Sequence, residues 1–126
     1  MINQIVEARD GIYNRAILER KKDIILEGLE YSGKEDSPKY LNSGLNSIMA
    51  RIAVKNKNIL GIDIERLSKL PKNKKAGILS RIRQNILICN KTGTRLAVNK
   101  VGREEKTAII ESLGGSTRQS SQAISF

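Results

Sequence analysis

The chain has no histidine, one cysteine, two prolines and four aromatic residues in 126 positions. Each shortage removes a class of chemistry. Without histidine there is no Ser-His or Cys-His nucleophile, no imidazole general base and no His-ligated metal. A single cysteine, Cys89, rules out an internal disulfide and a Cys-based zinc site, and suits a reducing cytoplasm. No basic-then-apolar leader opens the chain, and no apolar run approaches the roughly 20 residues that a membrane span requires. Catalysis by the chain itself would have to rest on carboxylates, Lys or Tyr. No cofactor or metal bound by the chain itself is expected.

With so few aromatics, the core has to be built from Ile, Leu, Val and Ala. At 126 residues the chain is expected to form a single domain, 1–126, with a modest core.

What is abundant is positive charge, a net +10, and it is unevenly placed. Residues 1–65 hold ten basic and ten acidic side chains. Residues 66–103 hold eleven basic side chains and no Asp or Glu, and the remainder carries minus one. A scattered lysine-rich surface would mix the two signs. Exclusion of acids over 38 residues instead marks a polyanion-binding face. A membrane surface fits less well, because the stretch has no Trp or Phe to anchor it. Tyr13, Tyr31, Tyr40 and Phe126 all lie outside the stretch, so base stacking by a single-strand reader is not indicated. Backbone contacts to a folded RNA or a duplex fit better, and charge alone does not separate RNA from DNA.

Periodicity supplies the organisation. Leu45, Ile48, Met49, Ile52 and Ala53 fall on one helical face, with Asn42 or Ser43 as the cap. Ile59–Ile64 reads as a strand. A helix over 73–91 would turn Ile78, Ile82, Ile86 and Cys89 inward and end at Gly93. Leu96–Val98 is the next strand. Upstream, Ile2–Val6 and Asp23–Leu26 read as strands flanking a helix in "YNRAILER". Downstream, Glu104–Leu113 is a helix, and "STRQ" offers a capping box from Ser116 to Gln119 for a last short one. Strand and helix thus alternate four times, with one extra helix, which implies parallel βα units. A complete (β/α)₈ barrel takes about 250 residues. The expected fold is therefore α/β, half of a TIM-barrel-like fold. The loop 30–41, "EYSGKEDSPKYL", stands where a functional βα loop would.

Taken in order, "VEARDGIYNRAILERKKDIILEGLEY", "NSGLNSIMARIAVKNKNILGIDI" and "GILSRIRQNILICNKTGTRLAV" resemble the C-terminal portion of ribonuclease P protein component 3, an archaeal family. Asn14, Arg15 and Ala16 precede Asp23 and its strand as in that family. Ser43 and Gly44 match its Ser-Gly pair, Arg83 and Asn85 its Arg-x-Asn element, and "ESLGGSTRQSSQAIS" its Leu-Gly ending. Tyr40, Leu41 and Asn42 stand where an Arg-Lys-Asp is common, and Ser47 where a His is common. The family's Arg-Ser-Pro segment is absent, and the N-terminal portion of its domain has no counterpart here. The resemblance implies a TIM-barrel-like, non-catalytic subunit of an RNA enzyme that removes the 5′ leader of precursor tRNA. It further implies ribonuclease P RNA and protein component 2 as partners, with Mg needed by the RNA enzyme.

The residues expected to contact RNA are Arg15, Lys74, Lys75, Arg81, Arg83, Arg95, Lys100 and Arg103. Arg15 reads equally as a solvent-facing helix arginine. Arg81 and Arg83, two apart, point in different directions. Lys74 and Lys75 open a helix, where the dipole disfavours cations. Glu7, Glu27 and Asp63 are expected near strand carboxyl ends, where a carboxylate cluster could bind a metal. Pairing with nearby Lys or Arg is the favoured reading. The alternatives are a carboxylate- or Lys-based half-barrel enzyme and a generic structured-RNA-binding protein. Cys89 is expected in the core.

Overall fold

The computed structural model describes residues 2–32 and 42–126. The expected loop 30–41 therefore lies mostly outside the described residues. Five strands form one sheet: β1 (Gln4–Glu7), β2 (Ile24–Glu27), β3 (Ile59–Ile62), β4 (Leu96–Val98) and β5 (Ile124–Ser125). All four pairings are parallel and the strand order is the sequence order, 1-2-3-4-5. The helices between them are α1 (Gly11–Arg20), α2 (Ser47–Lys55), α3 (Ile64–Ser68), α4 (Lys72–Thr92), α5 (Arg103–Ser112) and α6 (Thr117–Gln122).

Alternation along each strand divides the sheet into two unlike faces. Val6, Ile24, Leu26, Leu60, Ile62, Leu96 and Val98 join Leu18, Met49, Ala50, Ala53, Ile82, Ile86, Cys89 and Ile110 in one buried cluster. These last side chains come from α1, α2, α4 and α5, so the helices pack on one face. The opposite face presents Ile25, Ile59 and Ala97, packed among the described residues by Ile2, Ile124 and Phe126. Ile5, in the edge strand, is 54% exposed. A parallel sheet normally has both faces covered. Among the described residues, the second cover is a single aromatic ring and a few aliphatic side chains.

Gly61 makes room for that ring. A Cβ at position 61 would stand 3.0 Å from Phe126 Cζ and 2.8 Å from Ile25 Cγ2. The ring is held by its backbone: Phe126 N–H donates to the Val98 carbonyl at 3.1 Å, and Lys100 N–H donates to the Phe126 carbonyl at 2.8 Å.

Several expectations hold. α4 ends at Gly93 in the left-handed region (φ 77°), with Ile82, Ile86 and Cys89 buried. Ser116 and Gln119 form the capping box, with Gln119 N–H donating to Ser116 Oγ at 3.1 Å and Ser116 N–H to Gln119 Oε1 at 3.0 Å. Others shift. α2 is capped by Asn46, whose side chain accepts from Met49 N–H at 2.9 Å, and not by Asn42 or Ser43. The reason is Gly44, which sits at φ +82°, where a Cβ would collide with the Leu29 carbonyl, and so breaks the chain before the helix can begin. The inward face accordingly carries Met49, Ala50 and Ala53, while Ile48 is 56% exposed. Ile64 belongs to α3 and not to β3, because Asp63 caps that short helix through Arg66 N–H at 3.0 Å.

At the amino edge of the sheet two asparagines clamp α1 to β3. Buried Asn58 accepts from Ile24 N–H and donates to the Leu18 and Lys21 carbonyls, and Asn56 donates to the Leu18 and Glu19 carbonyls. These bonds satisfy the open carbonyls at the end of α1.

Gly61→Ala is expected to destabilise the fold by about 1–3 kcal/mol in urea titrations, as overpacking does. Adding Phe126→Ala should recover part of the loss. A strictly additive double variant would show that the ring and Gly61 do not interact.

Candidate nucleic-acid interface at the carboxyl edge

In parallel sheets, ligands bind outside the carboxyl ends of the strands. That edge of this sheet is also where the polar side chains gather. Glu7 and Glu27 end β1 and β2, Asp63 follows β3, and Asn99 follows β4.

Asp63 is the junction. Its N–H donates to the carboxylate of fully buried Glu30 at 2.9 Å, and its carbonyl accepts from the Tyr31 hydroxyl at 2.9 Å. Its Oδ1 accepts from Arg66 N–H at 3.0 Å and from Asn99 Nδ2 at 2.7 Å. Asn99 Oδ1 in turn accepts from Ile64 N–H and Glu65 N–H, completing the first turn of α3. Three βα turns are thereby tied to one aspartate.

This crowding shifts proton affinities. Glu27 is raised to about 7, first by burial, then by the charge of Asp63 and a hydrogen bond shared with it. Glu30 is also raised to about 7 by burial, against the opposing pull of its bond from Asp63 N–H. Tyr31 is pushed above its ordinary range by burial and by the Glu30 and Asp63 charges, so its hydroxyl stays a donor. Cys89, deep in the core beside Thr94, is pushed up to about 12 by burial and is chemically quiet.

Two adjoining clefts open here. One, of about 480 Å³, is lined by Ile5, Glu27, Asp63, Lys69, Lys100 and Phe126 among others. The second, of about 340 Å³, is lined by Glu7, Arg9, Asp10, Glu27, Tyr31 and Ser32 among others. Glu27, Asp63 and Arg66 border both. Among the described residues, no three acidic or cysteine side chains are grouped so as to hold a metal ion. The expected pairing of Glu7, Glu27 and Asp63 with Lys or Arg is not seen among the described residues. Among the described residues the ion pairs are Arg15–Glu19 at 2.8 Å and Lys69–Glu65 at 3.3 Å. Asp63 is held by backbone and amide donors.

The cations of the 66–103 stretch are distributed by topology. The chain climbs out of β3 at the carboxyl edge, descends along α4, and climbs again through β4. Arg66, Lys69, Lys72, Lys74 and Lys75 therefore lie at the carboxyl edge, Lys91 and Arg95 at the amino edge, and Lys100 and Arg103 back at the carboxyl edge. α4 has 21 residues, about 31 Å, while β3 and β4 span only four and three residues. The excess emerges at its start: from Lys72 to Gly77 every residue but half-buried Lys75 is exposed, and a Cβ on Gly77 would meet nothing within 4 Å. This basic tip projects beyond the sheet.

Of the residues expected to contact RNA, Lys74, Lys75, Lys100 and Arg103 are thus brought to one edge. Arg95 stands at the other edge, where its Nε donates to the Gln122 carbonyl. Arg15 is exposed on α1 and paired with Glu19, and Arg83 is exposed beside Gly114. Arg81 is half-buried and donates to the Glu30 carbonyl at 3.3 Å, tying α4 to the carboxyl edge. Arg9 and Arg66, which sequence reasoning did not single out, lie over Tyr13 and Tyr31 with guanidinium-to-ring distances of 4.6 and 4.2 Å. Only long-range folding brings Arg66 to Tyr31.

Among the described residues, no helix is long and apolar enough to cross a membrane. Compared with known proteins, the chain matches no family model and no curated sequence.

Glu27 and Glu30 keep protons in the folded state that they release near 4.5 when unfolded. Stability is therefore greatest below that value and falls as pH rises towards about 7, where the loss levels off. Glu30→Gln keeps an acceptor for Asp63 N–H and removes the buried charge. At pH 8 it should be more stable than the parent by an amount on the order of 2–3 kcal/mol, with little difference at pH 4. Equal effects at both pH values in thermal denaturation would contradict this.

Proposed function

We propose that the chain is a non-catalytic subunit that binds and stabilises a folded RNA, of the kind the resemblance to ribonuclease P protein component 3 implies. The observation that carries the reading is the exposed basic tip of α4 at the carboxyl edge, flanked by Lys100 and Arg103. Lys72, Lys74 and Lys75 form no ion pair with any described carboxylate. They also occupy a helix start, where the dipole disfavours them. Among the described residues nothing local offsets this placement, and binding to phosphates would.

The strictly sequential parallel order with helices on one face is the arrangement of consecutive units in a TIM-type barrel, and we read the sheet as part of one. On this reading the partners are ribonuclease P RNA and protein component 2, precursor tRNA is the substrate of the assembled particle, and the Mg belongs to the RNA. The carboxylates do not touch phosphate in this scheme. They hold the βα turns from which the cations project.

A second reading rests on Glu27. A carboxyl group raised to about 7 by burial and by the Asp63 charge, in a cleft at the carboxyl edge, is equipped for acid–base work. Turnover of a substrate by the chain without RNA, abolished in Glu27→Gln, would favour that enzyme.

The discriminating experiment reconstitutes ribonuclease P RNA and its other protein subunits with and without this chain, then follows precursor-tRNA cleavage at limiting magnesium. Addition of the chain is expected to raise the rate and lower the magnesium requirement. An unchanged rate and magnesium requirement would overturn the assignment. In direct binding, replacing Lys72, Lys74 and Lys75 with Gln is expected to weaken RNA affinity. The salt slope should fall by about 1 for each phosphate that is no longer neutralised. An unchanged slope would place the interface elsewhere.

A further inference from the structure

The carboxyl edge carries a feature that phosphate binding alone does not use. Arg66 is exposed and lies 4.2 Å over the ring of Tyr31, and Arg9 is exposed and lies 4.6 Å over Tyr13. Neither guanidinium forms an ion pair with a described carboxylate. Tyr31 is itself fixed, its hydroxyl bonded to the Asp63 carbonyl, so the Arg66–Tyr31 pair rests on a rigid base. Guanidinium planes and tyrosine rings are the surfaces on which proteins stack unpaired bases.

Beside the pair is the 340 Å³ cleft, within the usual size of small-ligand sites, about 300–1,000 Å³. Its lining includes Glu7, Asp10, Glu27 and Asp63, acceptors suited to the amino group of a base. Across Arg66 is the larger cleft, lined by Lys100, by Lys69 in its ion pair with Glu65, and by Asp63. Stacking surface, hydrogen-bond acceptors and cations are thus arranged side by side, with Arg66 at the boundary.

We infer that this double cleft receives one unpaired nucleotide extruded from a folded RNA, its base stacked on the Arg66–Tyr31 pair and its phosphate towards Lys100. The inference rests on the RNA-binding reading and deepens it, since it assigns the chain a preference for a bulge or loop over a continuous duplex. Glu27, which holds a proton near neutrality, lowers the repulsion that an acidic floor would otherwise offer to RNA. A free mononucleotide has the same chemistry, and the test separates the two.

Two RNA hairpins of equal length, one fully paired and one with a single bulged adenosine, are compared by fluorescence polarisation. The parent chain is expected to prefer the bulged hairpin by about fivefold or more, the effect of one stacked base. Arg66→Lys keeps the charge but removes the plane: the preference should vanish while the salt slope stays. Tyr31→Ala should also abolish the preference, and Tyr31→Phe should retain it. A parent chain that binds both hairpins equally, or a preference that survives Arg66→Lys, overturns the inference and leaves RNA binding intact. Failure to bind either hairpin overturns the RNA-binding reading with it. AMP saturating the chain at a lower concentration than the bulged hairpin would make the cleft a mononucleotide site and overturn the extruded-base assignment.

Discussion

Everything in this molecule follows from winding a parallel sheet in one direction only. Strands laid down in sequence order, each returning through a helix of the same hand, place the helices on one face. The core forms there, from Leu18, Ile82, Ile86, Ile110 and their neighbours. Among the described residues no helix covers the other face, and there Gly61 makes room for the ring of Phe126 beside Ile25, Ile59 and Ala97. The same winding brings each strand's carboxyl end to one edge, so residues distant in sequence meet there. Asp63 then joins them, because its backbone and carboxylate together engage Glu30, Tyr31, Asn99 and α3.

That junction explains why the edge can hold both signs of charge. Carboxylates crowded around Asp63 are costly to ionise: burial raises Glu30 to about 7 although the Asp63 N–H opposes it, and burial with the Asp63 charge raises Glu27 to about 7, so both hold protons up to near neutrality. The cations, by contrast, are set outward on α3, on the projecting turns of α4 and after β4. The acidic groups serve architecture, and the basic groups are left available to a ligand.

Much of the fold was legible because long elements repeat their period many times. α4, with about three turns of apolar spacing from Ile78 to Cys89 and Gly93 at its end, and α6, with its Ser116–Gln119 box, needed only local chemistry. The parallel βα alternation followed from the order of such segments. What escaped was short or remote. β5 is two residues in a polar tail, too brief to show a period, and exists because β4 offers it an edge. α3 has five residues and depends on Asp63 and Asn99, 36 positions apart. Glu30 read as a loop residue, yet it is buried because Asp63 N–H requires an acceptor. The site was half legible: the acid-free stretch identified the cations, but β-strand and helix directions decide which edge each one reaches. Arg95 was separated from Lys100 by the length of a single strand.

The projecting start of α4 has a consequence for how a partner is met. Six residues of helix extend about 9 Å, comparable with the Debye length of about 8 Å at physiological ionic strength. At that separation Lys72, at the far end of the tip, is partly screened from the described carboxylates at the sheet edge. A polyanion arriving from solution therefore feels the tip before it feels the acidic floor. The molecule would be oriented during approach, helix first, and steered association of this kind slows steeply as salt is added.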